Sequence, residues 1–578
     1  MAGEAPFSYR SRAAALESMQ AQAVDLLVIG GGITGAAVAR DAALRGFRTA
    51  LVEAGDFGSG TSSRSSRLVH GGLRYLETYD FGQVIEGSRE RRTLLHIAPH
   101  LVRPMRFLFP LYEGGRVPPW KLRAGMWLYD LLAGFRNVHW HRWLTPTKAL
   151  AAEPGLRDRD LQGAALYWDA QTNDVRLVVA MLRSAFQAGA LVANYTSVES
   201  FIRAEGRVVG AVVRDHVANQ ELVVRALTVV NATGPWVDRI RRLDDGAAKP
   251  LLRPSKGAHA IVRRERLGLH DAITISSPID GRIMFVLPWN DLAYIGTTET
   301  EEAVIPEDVR ATGEDVTYLL RSVNAVFPRA RITPNDVLAT WAGLRPLLAP
   351  DRTVPAGKAP REHRIVESPS GLITIAGGKL TTCRVMGKDV ADLVAKRLRR
   401  IDGRRLPRRP ATDQLPLPGG EIAALDVMMQ SVRMKELPAV TARHLVDSYG
   451  TESAAILNLV SKNKVLGGPL VAGRPEIRAE VVYAVEREMA MHVTDVLIRR
   501  LHLFYEDPQH GAGVAANVAR KMAELLGWSS TQEDDEIGAF LDEVRKSREF
   551  LREVGRPSRG AGAAPTDVPP PPPTTSAH

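Results

Sequence analysis

Cysteine is nearly absent from this chain. Cys383 is the single one in 578 residues, so no disulfide can form within the chain and no cysteine-based metal site is expected; no metal ligand set of another kind stands out. The chain reads as belonging to a reducing compartment, or as making no use of thiols. Long apolar runs are also missing. No stretch of 18 or more apolar residues occurs, which argues against a transmembrane helix. The opening segment, MAGEAPFSYRSRAAALESMQ, has no apolar core after a basic start, so it does not read as a secretory signal. No zinc-finger, helix-turn-helix or RNP pattern is present, so nucleic acid is not an expected partner. Internal repeats are lacking, and only one dinucleotide fingerprint is found.

What is present is ordinary for a globular protein: 45% hydrophobic and 24% charged residues. The length points to two to four domains. The net charge of +10 and the pI near 9.7 suit an acidic substrate or an anionic membrane surface, and equally mere solubility.

The most informative stretch is Val24–Tyr75. An apolar run, Leu26–Ile29, reads as a buried strand. Glycines follow at Gly30, Gly32 and Gly35, then a helical pattern from Ala36 to Leu44, a stop at Gly46, and a second strand, Thr49–Val52, ending on Glu53. A lone GxGxxG is weak evidence. Strand, glycine turn, helix, strand and acid in this order make a dinucleotide-binding unit. Gly30 permits the tight turn, Gly32 lets backbone approach a pyrophosphate, and Gly35 lets helix and strand pack closely. The helix N-terminus offers free N–H groups to phosphate, and Glu53 can accept from a ribose. The Asp56–Arg67 loop, with GSGTSSRSSR, has small residues that let backbone lie against a ligand and hydroxyls to bond it.

Further along, Phe81–His96 has helical spacing. Val117–Leu144 carries four of the nine tryptophans, Trp120, Trp127, Trp140 and Trp143, mixed with Lys121, Arg123, Arg136 and Arg142. Such a pattern suits a membrane interface and equally a core helix of a second domain. Asn173–Ala188 reads as a helix and Leu222–Val230 as a strand leading into NATGPWVD. Ile273–Thr298 suggests an antiparallel sheet facing the substrate. Val316–Phe327 is helical, and GLITIAGGKLTTCR is strand, Gly-Gly turn and helix. A basic, proline-containing stretch, 400–418, marks a boundary. Val440–Trp528 reads as a separate helical domain.

The motifs GGGITG, TSSRSSRLVHGGLRYLE, NATGPWVD, KGAH, GTT, GLRP and IAGGKLTT occur in the order seen in FAD-dependent glycerol-3-phosphate dehydrogenases, which this chain resembles from about Val24 to Arg384 and on through EVVYAVEREMAMHVTDVLIRR. Two positions depart from the family pattern: Arg67, where members often carry lysine, and Cys383, where an aromatic is common. The resemblance implies an α/β fold with a Rossmann-like FAD-binding domain, an antiparallel-sheet cap domain and an all-helical C-terminal domain. The expected division is an N-terminal extension over 1–22, an oxidoreductase region over 23–400, a helical domain over 413–554 and a disordered Pro-rich tail over 555–578. Within the region, FAD-binding parts are expected at 23–98, 166–248 and 338–400, and cap parts at 99–165 and 249–337.

On the matched motifs, the resemblance assigns FAD contacts to Gly30, Gly32, Ile33, Thr34, Gly35 and Glu53. It adds Thr61, Ser62, Ser63, Ser65, Ser66, Arg67, Leu68, His70, Gly71 and Gly72 from the following loop, and Val198 beyond it. Ala232, Thr233, Gly234 and Trp236 come from NATGPWVD, and Gly343, Gly378, Lys379, Leu380 and Thr381 from the last motifs. A small phosphorylated substrate needs cations, because arginine forks and lysine charge offset the desolvation of a dianion. Arg74, Arg345, Arg361 and Lys379 lie in or beside matched motifs, with Tyr75 and Lys256 next to them. His259 of KGAH is the candidate base, since an ordinary imidazole titrates near neutrality; Arg345 is its catalytic companion. An enzyme passing electrons between NAD(P) and FAD usually needs two fingerprints. With only one, electrons are expected to leave for a quinone or for oxygen, and the resemblance implies a respiratory quinone. The expected activity is oxidation of sn-glycerol 3-phosphate to dihydroxyacetone phosphate by a cytoplasmic enzyme peripherally attached to the membrane, possible as a homodimer. The alternatives are an oxygen-using oxidase of glycerol phosphate or an amino acid, and a non-catalytic flavoprotein scaffold.

Overall fold

The computed structural model describes residues 6–134, 136–301, 306–349, 362–404, 410–421, 427 and 437–555, without the side chains of Arg74 and Thr78. Arg361 and the Pro-rich end from 556 onward lie outside the described residues.

The opening apolar run forms the strand Val24–Ile29, buried at all six positions. A parallel strand is covered on both faces, so its apolar residues run on without alternation. It pairs in parallel with Thr49–Val52 on one side and Gln220–Asn231 on the other. Leu191–Ala193 and Ile373–Gly377 extend the parallel sheet outward, and His363–Glu367 closes one edge antiparallel. Leu26 and Val28 point into a core shared with the helices Ile33–Leu44, Asp174–Gln187 and Cys383–Asp402. Leu27 and Ile29 face the other way. There the helix Tyr9–Ala21 inserts Leu16 and Met19, and an antiparallel meander of Thr196–Ala204, Arg207–Asp215 and the start of Gln220–Asn231 supplies Val213 and Val224.

A second sheet has nine strands. Eight lie in the order Ala339–Arg345, Ser255–Arg263, Leu292–Gly296, Ile283–Trp289, Ala272–Ser276, Val102–Tyr112, Leu161–Thr172 and Leu68–Val69, with Arg142–Leu144 also on Leu161–Thr172. Its pairs are antiparallel except where Ala272–Ser276 meets Val102–Tyr112. The sheet is thus fed by Leu68–Val69 and Ala339–Arg345, which chain order groups with the cofactor segments. Strand pairing is set by contacts far apart in sequence, and motif order does not reveal it. The period-2 alternation of strands separates its faces. Leu108 and Ile273 pack under the helix Gly313–Val326, and Phe107 and Ile261 lie on the other side.

The C-terminal helices, among them Ala439–Tyr449, Arg478–Glu488, Ala515–Leu526 and Ser530–Ser547, pack into two cores, and Leu445, Ile456 and Tyr483 lie in one made of C-terminal residues alone. Val485, Leu497 and Tyr505 share the other with Tyr294 and Trp341 of the second sheet. No helix of the described residues is long and apolar enough to cross a membrane.

Candidate active site

All the parallel strands end on the same side of the first sheet, and the glycine turn sits at that end. Gly30 has φ +109°, and a Cβ there would come within 2.8 Å of the Ala232 carbonyl oxygen. A Cβ on Gly35 would lie 1.9 Å from the Gly30 oxygen. Neither position has room for a side chain, and the turn is left as bare backbone. The helix Ile33–Leu44 starts there, and the Ser62 hydroxyl accepts from the Ile33 N–H at 3.0 Å. Thr34 follows in the first turn of that helix. Glu53 accepts from the Gly31 N–H at 2.6 Å and the Gly55 N–H at 2.9 Å; burial raises its pKa, and these bonds partly offset the rise. The adjacent Gln220–Asn231 strand runs into Ala232, Thr233 and Gly234. Thr233 donates to the Asn231 side chain, and the Trp236 ring lies against Gly60. Val198 is in the core with Ile29 and Val52.

The loop beyond Asp56 is stapled at three points. The Thr61 hydroxyl donates to the Leu344 carbonyl at 2.6 Å, and the Ser65 hydroxyl donates to Asp174 at 2.7 Å. Ser66 Oγ lies 2.8 Å from His259 Nε2. Ser63 is buried within the same turn. The loop thereby comes over the edge of the second sheet, and between them opens a cavity of about 550 Å³. Thr61, Ser65, Ser66, Leu68, His70, Gly343, Gly378, Lys379, Leu380 and Thr381 line it, together with His259 and Arg345. Residues from four separate motifs, each chosen on sequence alone, therefore meet at one place. Gly71 and Gly72 stand just outside: the Gly71 N–H donates to Asp169 at 2.8 Å, and Gly72 turns the chain at φ +84°.

His259 is buried, and its pKa is lowered to about 3, first by burial, then by the charges of Arg345 and Arg67. The ring is neutral at physiological pH. Its Nε2 is held by Ser66, and its Nδ1 is buried with no hydrogen-bond partner among the described residues. Arg345 donates to the Thr297 hydroxyl at 3.0 Å and to the Thr298 carbonyl at 3.3 Å. Lys379 holds its ammonium 4.2 Å from the centre of the Tyr75 ring.

Besides Val198, Lys256 and the Arg67 side chain are elsewhere. Lys256 is buried and paired with Asp315 at 3.0 Å, and it does not line the cavity. The strand explains this: Gly257 and His259 face the cavity, so Lys256 and Ala258 face the opposite side. The Arg67 guanidinium is likewise absent from the lining and is boxed by Trp289, Tyr294, Trp341 and Tyr505. Arg74 belongs to the short helix Leu73–Thr78, its side chain outside the described set. Sequence reasoning missed Arg64, which lines the cavity, although it lies inside the quoted loop. Trp341 was also missed. It stacks on His259 with ring centres 4.8 Å apart, and only the pairing of Ser255–Arg263 with Ala339–Arg345 brings the two together.

Another part of the cavity wall is largely apolar, with Leu73, Leu76, Val117, Trp120 and Leu128 beside Glu77 and Lys121. Val117, Trp120 and Leu128 belong to or precede the helix Pro119–Leu132, which buries Leu122, Met126 and Tyr129 and exposes Trp120 by 72% and Trp127 by 56%. One face of the helix thus packs into the protein, as the core reading of its pattern expects, and the other is exposed.

Known proteins resemble this chain over most of its length. Residues 25–393 match the family model "FAD dependent oxidoreductase", and residues 410–533 match "C-terminal domain of alpha-glycerophosphate oxidase". The chain is 38% identical to glycerol-3-phosphate dehydrogenase 2 of Mycobacterium tuberculosis strain H37Rv, over 92% of this chain and 90% of that protein. It is 36% identical to the aerobic glycerol-3-phosphate dehydrogenase of Staphylococcus aureus strain NCTC 8325, over 90% and 94%. A crystal structure of the glycerol-3-phosphate dehydrogenase from Bacillus halodurans complexed with FAD superposes with a TM-score of 0.79 at 32% identity, covering 94% of this chain and 99% of that one.

Proposed function

Because this chain belongs to the FAD-dependent glycerol-3-phosphate dehydrogenase family, with FAD as its cofactor, we propose that it oxidises sn-glycerol 3-phosphate to dihydroxyacetone phosphate and delivers the electrons to a respiratory quinone. The observation that carries the reading is the meeting of a neutral histidine, His259, with the cations Arg345 and Lys379 in one cavity that the cofactor loop also lines.

The residues fit the cofactor. The bare glycine turn and the helix start at Ile33 suit a pyrophosphate, Glu53 suits a ribose, and the loop from Thr61 to His70 with Gly378–Thr381 suits the ring system. Bound FAD supplies the two-electron oxidant. The rest falls to the chain's own side chains. Lys379 and Arg345 neutralise the phosphate. His259, oriented by Ser66 and by the stacked Trp341, takes the hydroxyl proton. Arg345 also stabilises the negative oxygen left behind. Arg74, Tyr75 and Arg361 complete the phosphate site in this reading.

Trp120 and Trp127, exposed beside the largely apolar part of the cavity wall, favour peripheral attachment to a membrane, where a lipid-soluble acceptor is found. A second acceptor is favoured by the oxidase named in the C-terminal family match. Anaerobic mixing with glycerol 3-phosphate should bleach the flavin absorbance, and an unbleached flavin would rule out the substrate. Stoichiometric peroxide under air, with no turnover of a soluble quinone, would replace the quinone by oxygen.

A further inference from the structure

We propose that the C-terminal helical domain is part of the catalytic apparatus, because its Tyr505 and His502 are positioning residues that hold His259 in place through Arg67 and Trp341. The inference rests on the reading of His259 as proton acceptor and adds a role for a domain that none of the motifs explains.

The chain of contacts is short and buried throughout. The Trp341 ring lies nearly parallel to His259, 15° between planes and 4.8 Å between centres. Its indole N–H donates to the Ser65 carbonyl at 3.1 Å, one residue before the serine that touches His259. Two aromatic rings close on its edges: Tyr294 at 4.9 Å and, from the C-terminal domain, Tyr505 at 5.5 Å. The Arg67 guanidinium fills the centre of this box, within 5.7 Å of every ring and hydrogen-bonded to the Tyr294 hydroxyl at 2.7 Å. His502 Nδ1 lies 3.3 Å from the same guanidinium, and its Nε2 lies 3.0 Å from the Asn173 side chain. Arg67 itself has φ +53°, a backbone state that tertiary contacts have to impose.

A guanidinium out of water needs its aromatic faces and hydrogen bonds complete. Without Tyr505 the box opens on the side of the C-terminal domain, and Trp341 gains space to move into. His259 then loses the surface that sets its plane. Proton transfer depends on geometry at the level of an ångström, and a displacement of that size can cost on the order of 100-fold in rate. Substrate affinity depends on the cations instead, and Arg345 is held independently by Thr297 and Thr298. The predicted signature is therefore a change in rate without a change in affinity.

The test uses the full-length, FAD-loaded enzyme and anaerobic stopped-flow reduction by glycerol 3-phosphate. Tyr505→Leu should keep its FAD and a half-saturating substrate concentration within about twofold of wild type, while the limiting rate of flavin reduction falls by about 10- to 100-fold. Tyr505→Phe, which keeps the ring, should restore most of the rate. If Tyr505→Leu does not retain FAD, His502→Gln takes its place with the same expected split. A bleached wild-type enzyme whose variant reduces at the wild-type rate, or loses affinity and rate together, overturns the inference alone. A wild-type flavin that glycerol 3-phosphate leaves oxidised overturns the substrate reading first.

Discussion

Replacing His259 by alanine is the most direct probe of the proposed chemistry. General-base catalysis contributes about 10²- to 10⁴-fold, which is roughly 3–5 kcal/mol of barrier. His259→Ala should lower the limiting rate of flavin reduction by that factor. Bound FAD should persist, because the ring contacts Ser66 and Trp341 and leaves the glycine turn untouched. The pH profile carries a second expectation. The folded-state pKa of His259 is lowered to about 3, so in the free enzyme the imidazole is already deprotonated at every pH above about 4. The profile of kcat/KM, which reports the free enzyme, should show no acid limb near 6.5 from this residue. Binding a phosphate dianion beside Arg345 offsets the cation that opposes protonation. The kcat profile, which reports the substrate complex, should therefore place its acid limb higher than the kcat/KM profile does. Stopped-flow reduction and steady-state turnover between about pH 5 and 9 measure both. A His259→Ala enzyme within tenfold of wild type would refute the base assignment, and an acid limb of kcat/KM near 6.5 that vanishes with the histidine would refute the depressed pKa.

Three further outcomes follow from other parts of the molecule. Gly35→Ala would put a methyl 1.9 Å from the Gly30 carbonyl oxygen; the turn must shift, and the purified protein should contain little FAD, as read from its visible spectrum. Asp56 is fully buried and accepts from Arg500 at 2.8 and 2.9 Å, and Arg500 and Arg499 outweigh burial to lower its pKa from 3.8 to about 2. A carboxylate with a depressed folded-state pKa contributes stability that is present above its ordinary pKa and fades as pH falls toward 2. Asp56→Asn, which leaves both guanidiniums facing a neutral amide, should lose about 3–5 kcal/mol at neutral pH in denaturant unfolding, and an unchanged midpoint would contradict this. Trp120→Ser/Trp127→Ser should leave the melting temperature within about 2 °C, since both rings are exposed, and should reduce sedimentation with anionic vesicles several-fold; retained vesicle binding would end the membrane role of this helix.

Much of the site was legible from local pattern. The glycine spacing, the buried strand and Glu53 specify a dinucleotide turn because the requirement for bare backbone acts over a few residues. His259, Arg345 and Lys379 were legible through their motifs, and the structure brings all three to one cavity. Lys256 was not legible, although its neighbours were. Its face is decided by the phase of a strand, and a one-residue step in phase sends a side chain to the far side of the sheet. There the ammonium meets Asp315, a residue 59 positions away.

The order of the motifs and the chemistry of their side chains were thus determined by the sequence alone, because glycine geometry, helix polarity and cation–phosphate affinity are local properties. Tertiary structure decided which residues share a space. It moved Arg67 from the cofactor loop into an aromatic box, set Trp341 against His259, and joined part of the C-terminal domain to the second sheet in one core. Those outcomes depend on sheet pairing and packing between segments up to several hundred residues apart, which no window of sequence contains.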